Sequence, residues 1–371
     1  MTVADVIAQR IHREGPIPFD LFMELALYDV DGGFFAQGRG AGRAGRDFIT
    51  SPEVGPLFGA CVARALDGWW QELGAPDPFL VVEAGAGPGR LAREVLRAEP
   101  ECLTALRYVL VERSPQLRAA QRELLQIEPA DEAMGPFVHR TTEDEPVPVP
   151  AAGPVFAAIE DMPALPLASV VVANELLDNL PFGIAEFDGE DWQEVRVALD
   201  GNQFVEALVP TNPPPGVGPV DAGTRVPIPR GLVDWLAECA GALAHGVVLL
   251  VDYMTPAPRR DWLRTYRDHA RGAPPLAEPG AQDITADVLL PQLELAARRA
   301  GLAIRSIEPQ AQWLGALGID ELVADGQRAW DEGAARGDLD ALAGRSRRRE
   351  AEALLAPGGL GAHTVVVLTK S

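Results

Sequence analysis

A seven-residue loop, Glu83-Ala84-Gly85-Ala86-Gly87-Pro88-Gly89, constrains the fold of this chain more than any other stretch. It follows the short apolar run Phe79-Leu80-Val81-Val82 and opens an amphipathic helical pattern from Arg90 to Ala98. A buried strand, a glycine turn and a helix in that order begin a βα unit. Glycines without Cβ atoms let a ligand come close to the backbone. The spacing is GxGxG, whereas a dinucleotide fingerprint is GxGxxG, and its third glycine falls where Arg90 stands. A pyrophosphate cradle, and with it a nicotinamide-dependent dehydrogenase, is disfavoured. Glu83 at the mouth of the turn repels phosphate but can bind the amino group of a methionine moiety, directly or through water. S-adenosylmethionine carries that group and no phosphate, so the loop suits it. The plain alternative for the loop taken alone, an ordinary glycine-rich strand-to-helix turn, carries less weight.

A second strand, Tyr108 to Val111, ends at Glu112 and is followed by Ser114-Pro115, a helix cap with proline at the first helical position. Glu112 lies about where an acid accepts hydrogen bonds from both hydroxyls of a ribose. The plain alternative is a solvated glutamate at a strand end. Its place after a glycine loop in the same βαβ unit favours the ligand role.

Further strands are expected near Pro154 to Ile159 and over Ser169 to Ala173, Val247 to Val251, Leu302 to Ile307 and His363 to Leu368. Helices are expected at about 231–244 and 285–300. This alternation predicts a Rossmann-like α/β domain with a mostly parallel, seven-stranded sheet. Residues 1–75 form an N-terminal helical segment with a glycine-rich lid or binding loop, Gly32 to Gly45, and residues 76–371 form the Rossmann-like domain. Within it Ile184 to Phe187, Trp192 to Leu199 and Phe204 to Leu208 alternate and are joined by Asp-Gly turns, which predicts a β-meander inserted at about 182–230.

Ligands of open α/β sheets collect beyond the carboxyl ends of the strands, which brings Asn174, Glu175 and Asp178 to the methyl-acceptor side. Two carboxylates three residues apart can clamp a guanidinium, orient its nitrogen and accept its proton. The same residues can equally form a helix N-cap with acids favouring the helix dipole. Asp252-Tyr253 and the run Tyr266, Arg267, His269 are further candidate walls, a loop His269 being more commonly solvent-exposed. There is no GxSxG, HExxH, P-loop or His-Cys cluster, and methyl transfer from a sulfonium requires no metal.

The formal net charge of −22 argues against a nucleic-acid partner. Cys61, Cys102 and Cys239 lie far apart and imply neither a disulfide framework nor a zinc site. No apolar run reaches the roughly 18 residues that span a bilayer. The N-terminus lacks a charged-then-apolar signal pattern and carries Asp5 and Glu14, which speaks against a transit peptide. The expectation is a cytosolic (cytoplasmic) protein with no membrane partner.

Several segments together resemble the MidA family of methyltransferases. They are Leu27-Tyr28 with Gly32-Gly33-Phe34-Phe35, Asp47-Phe48-Ile49-Thr50-Ser51-Pro52-Glu53, Phe58-Gly59, the Glu83 to Gly89 loop and Val111-Glu112-Arg113-Ser114-Pro115. Towards the C-terminus they continue with Asn174-Glu175-Leu176-Leu177-Asp178-Asn179-Leu180-Pro181, Val251-Asp252-Tyr253 and Asp283-Ile284-Thr285. The resemblance runs in order over almost the whole chain. It implies a Rossmann-like methyltransferase domain with added segments, S-adenosylmethionine as donor, and a protein arginine as acceptor, as in the mitochondrial member. For Thr50, Ser51, Pro52 and Glu53 it implies a lid beside the cofactor, with Glu83, Gly85, Gly87, Gly89 and Glu112 around the donor itself. The chain departs from the family pattern at Arg46 and Met254, where glycine is usual, and at Asp287, where histidine is usual. Those departures suggest the competing reading, an assembly or chaperone-like factor that binds the cofactor without turnover.

Overall fold

The computed structural model describes residues 1–371 except 40–49, 134–151, 165, 268–269 and 334–338. Arg46, Asp47 to Ile49, His269 and residues 40–45 of the expected glycine-rich loop lie outside the described residues.

The main sheet has eight strands: β1 (Phe79–Ala84), β2 (Leu106–Val111), β3 (Ile127–Glu128), β4 (Val155–Ile159), β5 (Ala168–Asn174), β6 (Leu243–Asp252), β7 (Ala303–Pro309) and β8 (Thr364–Lys370). Their order is β7-β8-β6-β5-β1-β2-β4-β3. The six strands from β6 to β3 pair in parallel, and β8 runs antiparallel to both β6 and β7. All seven expected strands are present. The eighth, β3, has two residues, too few to leave a periodic signal.

The apolar runs are continuous because both sheet faces are covered. Val81, Val170 and Val172 pack with the helix Pro56–Glu72 and the helix Arg90–Arg97 on one side. Their chain neighbours Val82, Val171 and Ala173 pack with Arg230–Ala242 and Leu290–Arg299 on the other. This is the alternation of side chains along a strand. The helix expected at 285–300 starts instead at Leu290, with Pro291 in its first turn. The preceding residues are extended: Asp283–Ala286 pairs antiparallel with Leu263–Arg267, and Val288–Leu289 pairs with Met254–Thr255. Cross-strand pairing has overridden a spacing of Ile284 and Val288 that fits either period.

The inserted meander is present as Gly183–Phe187, Trp192–Asp200 and Gln203–Thr211, extended by Arg225–Ile228. Ile17–Pro18 joins this sheet from the N-terminal segment, Ile17 pairing with Val197. The helices Val3–Glu14 and Phe19–Tyr28 pack on it through Ile7, Phe22 and Met23, in one cluster with Ile184, Val195 and Trp262. That lobe stands at the end of the parallel strands, and Tyr28 reaches across to donate its hydroxyl to the Asn179 carbonyl at 3.0 Å.

Candidate active site

The turn after β1 needs its glycines. Gly85 and Gly87 have φ of +67° and +52°, a region that side chains with a Cβ avoid. A Cβ on Gly85 would come within 2.9 Å of Leu176 Cδ1, whereas one on Gly87 would meet nothing within 4 Å. Gly87 therefore presents bare backbone to a cleft of roughly 1340 Å³, measured out to its open mouth. Gly89, also at positive φ, begins the helix Arg90–Arg97 behind the cleft wall.

Three carboxyl groups shape the cleft. Glu83, at the end of β1, is 5% exposed and accepts the Tyr108 hydroxyl at 2.8 Å. Burial pushes its pKa up to about 8, so at neutral pH the carboxyl holds a proton until a cation arrives. Glu112, just past β2, accepts Gly87 N–H on Oε2 at 2.9 Å and Ser114 N–H on Oε1 at 2.8 Å. Burial raises its pKa too, against the lowering effect of those two bonds. Because each carboxylate oxygen has two lone pairs, both retain an acceptor site for further donors.

Glu175 follows β5 with φ at +50°, rare for a residue that is not glycine. Its N–H donates to the Val251 carbonyl at 2.8 Å, which holds this strained conformation at the strand end. Oε1 accepts Ser51 N–H at 3.3 Å and Asn174 Nδ2 at 3.4 Å. Burial, with Asp178 adding like charge, lifts the Glu175 pKa to about 8. The turn behind it is built by Asp252 at the end of β6, whose Oδ2 accepts Leu177 N–H at 2.8 Å and whose Oδ1 accepts Tyr253 N–H at 2.7 Å.

Asn174 and Glu175 line the cleft, as do Thr50, Pro52, Glu53, Glu83, Gly85, Gly87 and Glu112. Ser51 is fully buried, its hydroxyl donating to Gln310 Oε1 at 3.0 Å, and Thr50 and Glu53 close a capping box around it. Asp178 lies outside the lining: it accepts the Thr285 hydroxyl at 2.6 Å, and its Oδ1 is buried without a hydrogen bond among the described residues. Only a 3-10 turn, Leu177–Asn179, follows Glu175, so the two acids are not stacked on one helix face. Asp287 is ion-paired with Arg264 at 2.7 Å, and Tyr253 is 39% exposed.

The walls also include Glu160, Asp161 and Met162 beyond β4, Trp235 and Glu238 from the helix Arg230–Ala242, and Tyr28 and Phe35 from the N-terminal segment. Of these, only Tyr28 and Phe35 fall within segments noted in the sequence. An acid directly after a strand was the signal that identified Glu112, and Glu160 carries it as well. Among the described lining residues, seven acids face three arginines, a balance suited to a cationic ligand and unsuited to phosphates.

A bare-backbone turn flanked by the buried carboxyls of Glu83 and Glu112 is a lining that S-adenosylmethionine fits. The family model of S-adenosyl-L-methionine-dependent methyltransferases matches residues 61–307. The chain belongs to the MidA family of methyltransferases. It is an S-adenosylmethionine-dependent enzyme of the Rossmann-like class.

Among the relatives of this methyltransferase, the Drosophila melanogaster "Protein arginine methyltransferase NDUFAF7 homolog, mitochondrial" is 31% identical over 310 residues, covering 77% of this chain and 68% of that protein. The human protein arginine methyltransferase NDUFAF7, mitochondrial, is 27% identical over 338 residues, 84% of this chain and 72% of its own. A solved structure from Burkholderia thailandensis, bound to S-adenosyl-homocysteine, superposes with a TM-score of 0.76 at 26% identity, covering 99% of this chain and 92% of that one. The expectation of a cytosolic protein is corrected by these relatives, which are named as mitochondrial. The acidic N-terminal residues and three dispersed cysteines were too weak to assign a compartment, the cysteines being buried core residues in the fold.

Proposed function

We propose that this methyltransferase acts on an arginine guanidinium of a protein partner, with Glu175 as the group that receives it. The observation that carries the reading is a buried carboxyl on the cleft wall, one oxygen of which is engaged by Ser51 and Asn174. Among the described residues no hydrogen bond engages Oε2, which leaves it for the acceptor. The relatives named as protein arginine methyltransferases support the same class.

Glu83, Gly85, Gly87 and Glu112 would hold the donor, Gly89 shaping the turn from behind the wall, with Thr50, Ser51, Pro52 and Glu53 alongside. When bound, the donor supplies a methyl group activated by a sulfonium. Glu83 balances the ammonium of the methionine portion, and Glu112 accepts from the ribose. Asn174 orients Glu175. Glu175 fixes the guanidinium through Oε2 and accepts its N–H proton there as the nitrogen becomes nucleophilic. Asp178 acts from behind this pair, where its charge controls how readily Glu175 ionises.

The test incubates the protein with methyl-labelled donor and an arginine-rich protein fraction, followed by mass spectrometry of the labelled residues. Methylarginine is expected, with Glu175→Gln lowering kcat at least a hundredfold while S-adenosylhomocysteine binding by titration calorimetry stays within about threefold of wild type. Label on lysine, carboxyl or small-molecule acceptors instead would sink the arginine assignment. Tight cofactor binding with no labelled product would return the non-catalytic assembly-factor reading.

A further inference from the structure

Beside Glu175, on the side of β8, stands a histidine that no part of the mechanism above uses. His363 is 2% exposed, and its Nδ1 is buried with no hydrogen-bond partner among the described residues. Glu175 Oε1 lies 4.0 Å from it. The backbone is pinned on both sides: the His363 carbonyl accepts Gln310 N–H at 2.7 Å, and its own N–H donates to the Leu360 carbonyl at 3.1 Å. The ring meets Tyr253 edge-on, with centroids 4.1 Å apart. A ring so placed can tilt or meet a moving carboxylate, but it cannot leave.

We propose that His363 is a positioning residue for Glu175, its Nδ1–H closing onto Oε1 when the carboxylate ionises. A movement of about 1 Å brings the pair within hydrogen-bond range. Oε1 is then held by Ser51 N–H, Asn174 Nδ2 and His363 Nδ1, and Oε2 is presented to the acceptor. The inference rests on Glu175 being the acceptor-binding group.

The surroundings explain why a neutral donor is needed. Glu175 faces Asp178 on its own turn, Glu53 from the Ser51–Val54 helix, and Asp252 at the end of β6, all of which oppose its ionisation. Tyr253 is the polar group packed against the imidazole. Burial lowers the His363 pKa to about 4, so the ring is neutral in the working range and acts by donating its N–H, with no charge of its own. Donation to an anion favours the anion, which makes Glu175 easier to ionise than its acidic neighbours alone would allow.

The test follows the Glu175 carboxylic-acid stretch by infrared spectroscopy on the full chain without donor, the band being identified by its loss in Glu175→Gln. In His363→Phe, which keeps the packing on Tyr253 but has no donor, the band is expected to persist to a pH about one unit higher. The acid limb of kcat/KM should rise with it, giving about a tenfold loss on that limb. His363→Asn, whose amide can donate, should restore both. An unmoved band in His363→Phe, or one that disappears at lower pH, overturns the proposal; the second result would make Nδ1 an acceptor. If the wild type methylates no guanidinium, the arginine reading fails separately, and the infrared titration still decides the role of His363.

Discussion

At the scale of single residues, buried carboxyls turn ligand charge into proton traffic. Glu83 is protonated at pH 7 with its pKa near 8, and an ammonium group beside it favours the carboxylate. Binding of S-adenosylhomocysteine at pH 7 should therefore release close to one proton, measured by calorimetry in buffers of different ionisation enthalpy. Release should vanish in Glu83→Gln, and in wild type should fall to about half at pH 8 and be nearly gone by about pH 9. Glu112 is tied to the glycine loop itself, so Glu112→Gln sets an amide N–H against either Gly87 N–H or Ser114 N–H. Lost charge-assisted bonds of about 1.5–3 kcal/mol correspond to a drop of roughly ten- to a hundredfold or more in S-adenosylhomocysteine affinity. Unchanged affinity in that variant would remove Glu112 from the cofactor site. Both acids were legible because each ends an apolar strand. His363 was not, since it was read as the first residue of a buried strand. Asp161 and Met162 follow a proline-rich, acid-rich stretch in which no periodicity betrays a turn.

At the scale of elements, the turn after β5 is held from three directions. Asp252 caps it from β6, Tyr28 donates to it from the N-terminal segment, and Asn179 Nδ2 donates to Asp283 Oδ1 at 2.9 Å and to the Ile284 carbonyl at 3.0 Å. Removing the amide in Asn179→Ala takes away two buried hydrogen bonds, at a cost of about 1–3 kcal/mol. Denaturant melts should show that loss, and a midpoint within error of wild type would mean that water replaces the amide. The strand at Asp283–Ala286 was the element sequence reasoning misjudged. Its partner, Leu263–Arg267, is polar enough to pass for a loop, and pairing between two such segments leaves little mark in either alone. The meander was legible, in contrast, because Asp-Gly turns and strict alternation are local signals.

At the scale of the whole molecule, the carboxyls that make the site also set its response to pH. Glu83 and Glu175 both titrate near pH 8 in the fold, against 4.5 for an ordinary glutamate. Between those values the folded chain binds more protons than the unfolded one, so stability falls as pH rises through that window. Below about pH 4.5 both states are protonated, the contribution is fully present and stability no longer changes with pH through these groups. Melting temperature in the absence of ligand should decline from about pH 5 to pH 9, and the double variant Glu83→Gln/Glu175→Gln should flatten that decline. A melting temperature that climbs over the same range would contradict the burial assigned to these groups.

The pairing of Ile17–Pro18 with Arg196 and Val197 bears on how the polypeptide is made. The opening helices bury Ile7, Phe22 and Met23 against strands encoded some 180 positions downstream. At typical synthesis speeds of about 5–20 residues per second, that stretch waits roughly 10 to 40 s for its counterpart to emerge from the ribosome. For that interval its oily surface lacks those strands to cover it, and the segment finds its place only after the meander has been made.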